Sequence, residues 1–313
     1  MRRLWLALAV VCAGCGRYAD FTLPKLAGGD PNLTYTLEQQ PEPVLARGVA
    51  HDVLKPSVVG YRMFYSEFDG ETWRTAQADP ASLGFLRSRI VLSPDPQTWE
   101  GPYIAANGFA LQREHQIWYW YVAGPKGSPR IGLARDWHKE PQPVLEPGPY
   151  MSWDEMGVAD PYIVRIEPYF YLFYLGQDRA RRQRLGVARS TDGIHFEKLR
   201  TNPILELGDI GAFDENGLGE PAVWSNWCYW MLYTGRDASE NRRLGLARSA
   251  DGVHWTKLPT VFSGTAAWDS KVMCDPMVVG QGAGVYFGGG DIPRPDENLN
   301  GQIGYGTLKM IIR

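Results

Sequence analysis

The chain alternates short apolar runs, rich in aromatic residues, with turns that contain Gly, Pro and Asp. Typical runs span residues 169–174 and 229–233, and polar residues flank both. Short runs of this composition between turn residues are typical of β-strands. The pattern predicts an all-β fold.

Three nine-residue passages align without gaps at 153–161, 213–221 and 268–276, and each ends in Asp-Pro or Glu-Pro. Each precedes an aromatic run. Elements of the type Arg-x-Gly-x-Ala-Arg, Asp-Gly turns and Pro-x-Val-Leu segments recur beyond the aromatic runs. A repeat of about 60 residues with four strands per unit is typical of propeller blades.

Five such units fit between residues 34 and 313, so we expect one domain, a five-bladed β-propeller with four-stranded blades. The last unit lacks its Pro-x-Val-Leu strand, and a matching copy lies near the N-terminus at residues 43–45. We therefore expect the N-terminal strand to close the ring, which removes free sheet edges.

Composition narrows the classes of function. Of the 313 residues, 44% are hydrophobic and 21% charged, and the net charge is -3. This balance excludes a disordered chain and argues against nucleic acid as a partner, because no positive surface charge dominates.

The N-terminus carries the features of an export signal. Basic residues at 2–3 precede an apolar run at 4–11, and Cys12-Ala-Gly-Cys15 is similar to a bacterial lipobox. Residues 1–15 are predicted to be a lipoprotein signal with the lipid on Cys15, and 16–33 a tether. The alternative is an ordinary cleaved signal. We expect a monomer in the cell envelope, in the periplasm or at the outer membrane, with membrane contact only through the lipid anchor.

Asp160, Glu220 and Asp275 occupy equivalent repeat positions, at the starts of strands that line the channel of a propeller. Clustered acids raise one another's pKa, so that one remains protonated while a neighbour is ionised. Cleavage of a glycosidic bond needs such a pair. A structural role in strand-start turns is the alternative.

The first blade offers two residues for the same position. Asp52 precedes Tyr65 by 13 residues, as Glu220 precedes Tyr233, whereas alignment of the prolines selects Lys55. The spacing favours Asp52. A lysine there would leave ordinary hydrolysis without its base.

Further residues near the predicted channel are candidates for binding sugar. They are His51, Lys55, Glu100, Trp153, Trp268, Arg236 and Asp275. The tryptophans could stack on sugar faces or pack between blades, and Arg236 could bind a hydroxyl or form a salt bridge. No ligand spacing of a metal site is present, so no cofactor or catalytic metal is expected, although the channel could hold a structural cation such as calcium.

The Asp-Pro and Glu-Pro strand starts, the aromatic second strands and the Arg-x-Gly-x-Ala-Arg-Ser-x-Asp-Gly-x-His hairpins resemble the five-bladed furanosidase superfamily, which includes glycoside hydrolase families 43 and 32. The resemblance implies that Asp52 is the catalytic base, that Asp160 orients it and tunes the acid, and that Glu220 is the general acid.

The expected function is hydrolysis of a furanoside or pentose oligosaccharide or polysaccharide, with inversion; separation of the two carboxyl groups would distinguish inversion from retention. Two alternatives stay open. With Lys55 in the base position, the protein would be a catalytically inactive carbohydrate-binding propeller. With an anion pocket formed by the arginines at 179–184, it would be a glycoside phosphorylase. The sequence specifies neither the sugar nor its linkage.

Overall fold

The computed structural model describes residues 18–312, and within them the fold is all-β, as predicted. Twenty-one strands are present, and the one helical element of these residues is the 3-10 turn Ala267–Asp269. No helix in this part of the chain is long and apolar enough to cross a membrane. The predicted signal peptide with its predicted lipidation site at Cys15, and residues 16–17, lie outside the described residues.

Twenty of the strands form five antiparallel meanders of four. The strands are, in chain order, β1 (Tyr18–Ala19), β2 (Leu33–Gln39), β3 (Asp52–Val59), β4 (Arg62–Phe68), β5 (Trp73–Ala81), β6 (Gly84–Leu92), β7 (Ile104–Arg113), β8 (Gln116–Ala123), β9 (Arg130–Arg135), β10 (His138–Lys139), β11 (Gly157–Ile166), β12 (Tyr169–Gln177), β13 (Gln183–Ser190), β14 (Glu197–Leu199), β15 (Gly217–Ser225), β16 (Tyr229–Arg236), β17 (Arg242–Ser249), β18 (Thr256–Phe262), β19 (Val272–Val279), β20 (Gly284–Gly290) and β21 (Gln302–Ile312).

Four meanders are continuous in the chain: β3–β6, β7–β10, β11–β14 and β15–β18. The fifth combines β19, β20 and β21 with β2, which pairs with β21 from Leu33 to Gln39. The first strands of successive meanders contact one another, and β19 contacts β3. The five first strands therefore contact one another in succession.

The second strand of each meander is deeply buried. In β12, residues 170–174 are all at most 3% exposed, although side chains alternate between the two faces of the strand. Both faces are covered because each meander packs between two others. This explains why the sequence shows a continuous aromatic run rather than alternation.

In three of the meanders, the Pro-x-Val-Leu segment does not form the strand that the sequence predicted. Leu145, Leu205 and Leu45 each form a single bridge to the third strand of their meander. The strand expected at 43–45 is therefore such a bridge, and the N-terminal strand is β2, which precedes it. The proline, which has no N–H to donate, limits how far a ladder can continue there.

The segment expected to be a tether packs on the domain from residue 18 onward. Strand β1 pairs in parallel with β14, and Leu23 is 1% exposed, with its side chain against Gly252. The backbone N–H groups of Leu23 and Leu26 donate to the carbonyls of Asp251 and Ala250. In a free tether, these backbone N–H groups would donate to water instead.

Candidate active site

Each first strand carries a β-bulge at the same position. In every case two residues of the first strand oppose one aromatic residue of the second strand. The first bulge residues are Lys55, Asn107, Asp160, Glu220 and Asp275, and their φ angles lie between 49° and 53°. Residues other than glycine rarely adopt this conformation, and it concentrates at functional sites.

The bulges bring Asp160, Glu220 and Asp275 together, as the sequence predicted, and we call these three the acid cluster. The backbone N–H of Asp275 donates to Glu220 Oε2 at 3.0 Å. Glu220 and Asp275 each offer a carboxylate oxygen, and these two atoms lie within 4.8 Å of each other. Asp160 and Asp275 are 6% and 4% exposed, whereas Glu220 is more accessible.

Two buried cations accompany the acid cluster. Lys55 Nζ lies 3.9 Å from Asp275 Oδ1, and the residue is 3% exposed. The Arg242 guanidinium donates to the backbone carbonyls of Arg294 and Pro295, and its charge reaches Glu220 and Asp275. The sequence analysis did not identify Arg242, because this residue lies one position before the repeated Arg-x-Gly-x-Ala-Arg element.

Burial and mutual repulsion raise the pKa values of two acids. The pKa of Asp160 rises to about 6, chiefly because burial disfavours the charged form and secondly because of Glu220, while Lys55 opposes the shift. The pKa of Asp275 rises to about 7 for the same two reasons, again against the effect of Lys55. Near neutral pH the acid cluster therefore retains a proton, and the two groups titrate together.

The acid cluster lies in a cleft of about 930 Å³, a volume suited to a small ligand. Charged residues from other elements line its walls: Lys126, Arg179, Arg181, Arg182, Glu215, Arg236, Glu240 and Asp296. Arg236 thus reaches the cleft as predicted, where it pairs with Glu240 at 3.1 Å. The arginines at 179–182 are exposed at this mouth, and two of them pair with neighbouring acids.

The structure does not bring Asp52 into the acid cluster. Its side chain is fully buried and accepts hydrogen bonds from the backbone N–H groups of Asn298, Leu299 and Gly301. It is absent from the residues that line the cleft. Lys55 holds the equivalent position, so the expectation for Asp52 as the base is wrong.

The different lengths of two hairpins explain why the sequence spacing favoured Asp52 over Lys55. Lys55 lies opposite Tyr65, and Glu220 lies opposite Tyr233, so the two tyrosines are equivalent as assumed. However, Tyr65 follows Lys55 by only 10 residues, while Tyr233 follows Glu220 by 13. The first hairpin is shorter, and counting along the chain therefore overshoots.

Glu100 and His51 also lie away from the cleft walls. Glu100 is 1% exposed and binds Lys139, the Tyr121 hydroxyl and the backbone N–H of Asp95. His51 Nδ1 lies 2.8 Å from Asn298 Oδ1. Both residues therefore fix loops, contrary to the predicted binding role.

Trp153 and Trp268 pack inside their own meanders, whereas the expected alternative to sugar stacking was packing between blades. A Cβ on Gly176 would come within 2.4 Å of the Trp153 ring, and one on Gly289 within 2.4 Å of the Trp268 ring. Trp268 Nε1 also donates to the Pro41 carbonyl. Neither ring lines the cleft.

Donor atoms for a metal ion exist at one place among residues 18–312, at Glu220, Cys274 and Asp275. Lys55 and Arg242 lie beside the same atoms. Their positive charges oppose a divalent cation there, and a thiol beside two carboxylates is an uncommon donor set for calcium.

No family model matches the chain. Two curated relatives from strains of Mycobacterium tuberculosis, "Uncharacterized protein MT1551" and "Uncharacterized protein Rv1502", are each 31% identical over 153 residues, which is 46% of this chain and 51% of the relative. The chain thus spans about half the length of the curated relatives it matches.

Solved structures match over most of the chain. A glycoside hydrolase superposes with a TM-score of 0.67 at 16% identity, over 92% of each chain. An α-L-arabinofuranosidase from Lactobacillus brevis gives 0.62 at 9% identity, over 84% of this chain and 94% of the other. The catalytic domain of a Coprinopsis cinerea GH62 α-L-arabinofuranosidase gives 0.60 at 12% identity, over 94% and 98%.

Because these sequence identities are low, the similarity is evidence for the fold alone. The resemblance predicted from the repeats is confirmed at that level: the chain has the β-propeller fold of the furanosidase-type glycoside hydrolases.

Proposed function

We propose that the five meanders are blades of a five-bladed propeller whose ring is closed by β2. Contacts between successive first strands, including β19 with β3, support this arrangement. So does the pairing of β2 with β21, which joins the two ends of the domain in one sheet.

We further propose that the protein is a glycoside hydrolase that acts on a furanoside or pentose-type oligosaccharide or polysaccharide. The observation that carries the proposal is the acid cluster, three carboxyl groups from adjacent meanders on the floor of the cleft. Its retained proton and its ionised partner are the pair that glycosidic cleavage requires. Glycoside hydrolases among the structural neighbours support the same class.

Glu220 is proposed as the general acid, because it is the most accessible member of the acid cluster. It donates its proton to the leaving glycosidic oxygen. Asp275 is proposed as the nucleophile, and no residue takes the separate base role that the sequence assigned to Asp52. Asp160, buried beside Glu220, tunes the acid through its negative charge.

The spacing of Glu220 and Asp275 supports direct attack. Carboxyl groups about 5 to 5.5 Å apart suit a retaining reaction, and groups about 6.5 to 9.5 Å apart leave room for the water of an inverting one. One carboxylate oxygen of each residue lies within 4.8 Å of the other, which favours the shorter of the two spacings. We therefore propose that Asp275 attacks the anomeric carbon as Glu220 protonates the leaving oxygen, and that Glu220 then deprotonates the water that releases the sugar. The product would then keep the configuration of the substrate, whereas inversion was the expectation from the sequence.

The position of Lys55 favours a second candidate, the catalytically inactive carbohydrate-binding propeller. Release of reducing sugar from arabinans, xylans and fructans separates the two, with wild type, Glu220→Gln and Asp160→Asn compared. Turnover that Glu220→Gln abolishes supports the hydrolase. Glycan binding by wild type without turnover of any substrate supports the binding protein.

The glycoside phosphorylase remains the third candidate, and the exposed arginines at 179–182 are what favours it. Assays with and without inorganic phosphate distinguish it, since a phosphorylase releases a sugar phosphate and needs the anion. Phosphate-independent turnover excludes it.

A further inference from the structure

The amine of Lys55 is an unusual group beside the acid cluster. It reaches the acid cluster from a bulge with φ of 51°, is buried, and within residues 18–312 its Nζ has no hydrogen-bond partner. Burying an amine without hydrogen bonds costs several kcal/mol unless a charge compensates for it. The compensating charge is Asp275, 3.9 Å away.

Charged groups approach Asp275 from every element around it. Lys55 comes from β3, Glu220 from β15 and Asp160 from β11, while Arg242 comes from β17. The neighbouring Cys274 thiol donates to Asp275 Oδ2 at 3.2 Å. Of the cations, Lys55 is the one that lies within ion-pair distance of the Asp275 carboxylate.

The two cations are held differently. Arg242 donates to the carbonyls of Arg294 and Pro295, so part of its donor capacity is committed to the loop 291–301. Lys55 has no such commitment among the described residues. Its charge therefore acts on the acid cluster alone, and mainly on the carboxylate nearest to it.

We propose that Lys55 is a positioning residue whose buried charge favours the ionised form of Asp275 against the opposing effects of burial and of the neighbouring carboxylates. This deepens the proposed function, on which its catalytic meaning rests. A nucleophilic carboxylate must be ionised when the acid beside it is protonated, and a cation on one side of an acid cluster favours that asymmetry. A lysine in the position expected for a base is then compatible with catalysis.

The test measures Asp275 itself. In protein labelled with ¹³C at aspartate carboxyl carbons, with Asp275→Asn and Asp160→Asn used to assign the signals, the titration of Asp275 is followed by NMR. We expect Lys55→Met to raise the pKa of Asp275 by at least about one unit, because an opposite charge at this distance lowers an acid's pKa by about 1–3 units. Lys55→Arg keeps the charge and should leave the value nearly unchanged.

A matched control is Lys257→Met, which removes a lysine paired with Asp214 at 2.5 Å, away from the acid cluster. It should not change the titration of Asp275. Lys55→Gln serves as a second neutral variant in case the methionine variant does not fold. An Asp275 titration that stays at its wild-type position in the folded neutral variants overturns the proposal, as does an equal shift in Lys55→Arg.

Activity supplies the second measurement. If the wild type cleaves a glycoside, the acidic limb of kcat/KM should move upward in Lys55→Met by the same interval as the pKa of Asp275. An unmoved limb overturns the catalytic role of Lys55. If the wild type cleaves nothing while Lys55→Met still raises the pKa, the charge pairing is supported and the proposed hydrolase is rejected.

Discussion

The backbone N–H of Asp275 donates a hydrogen bond to the carboxylate of Glu220, with 3.0 Å between the nitrogen and Oε2. The bond joins two neighbouring meanders at their bulges. It fixes Oε2 of Glu220, a residue that lines the cleft. It also holds the two carboxyl groups at the short spacing on which the proposed retaining reaction depends.

Product stereochemistry tests that spacing. We expect the first-formed sugar to have the anomeric configuration of the substrate, because two successive displacements at the anomeric carbon restore it. Proton NMR of early time points, before mutarotation, reads the outcome. An inverted first product would contradict nucleophilic attack by Asp275.

Asp275→Asn should lower kcat by at least about 10³-fold, since an amide is a poor nucleophile. Asp52→Asn should change kcat of the folded enzyme by less than about 3-fold, because Asp52 only binds backbone amides. Its effect should appear as a lower free energy of unfolding, by about 1–3 kcal/mol, in urea titrations. Loss of turnover in Asp52→Asn at unchanged stability would restore Asp52 as a catalytic candidate.

Stability should depend on pH through Asp160. Its folded pKa, raised to about 6 from 3.8, means that the folded state binds more protons than the unfolded state between those values. The contribution of Asp160 to the free energy of unfolding therefore falls as pH rises from about 4 to 6 and then levels off. Asp160→Asn removes this penalty and should stabilise the protein by about 3 kcal/mol at pH 8, with little effect at pH 3.5.

Thermal unfolding at the two pH values checks this expectation. Asp192→Asn is the contrasting variant, because contacts with His195 and nearby backbone amides lower the pKa of Asp192. An increase in Tm for Asp160→Asn that is equal at both pH values would contradict the electrostatic explanation.

Trp153→Ala should destabilise the fold and spare the site. The ring packs on Gly176 and Gly186, so its removal should lower the free energy of unfolding by about 3 kcal/mol. Trp227→Ala, at a side chain 59% exposed, should change it by less than about 0.5 kcal/mol. Weaker glycan affinity in folded Trp153→Ala would return Trp153 to the binding residues.

The sequence by itself determined the strand content, the repeats and the equivalence of Asp160, Glu220 and Asp275. These features are local. A short aromatic run forms a strand, and an acid followed by proline marks a bulge in three successive first strands. In the bulge at Asn107-Gly108, the second bulge residue is not proline. The sequence therefore gave no sign of this bulge, although the structure contains it.

Only the tertiary structure decided which residue of the first meander faces the others. Hydrogen-bond register across a hairpin fixes that position, and sequence spacing does not, because turns differ in length. Burial was likewise decided by neighbours from elsewhere in the chain. Trp153 looked available for a sugar until Gly176 and Gly186 were placed beneath it, and Lys55 gained its meaning when the fold set Asp275 beside it.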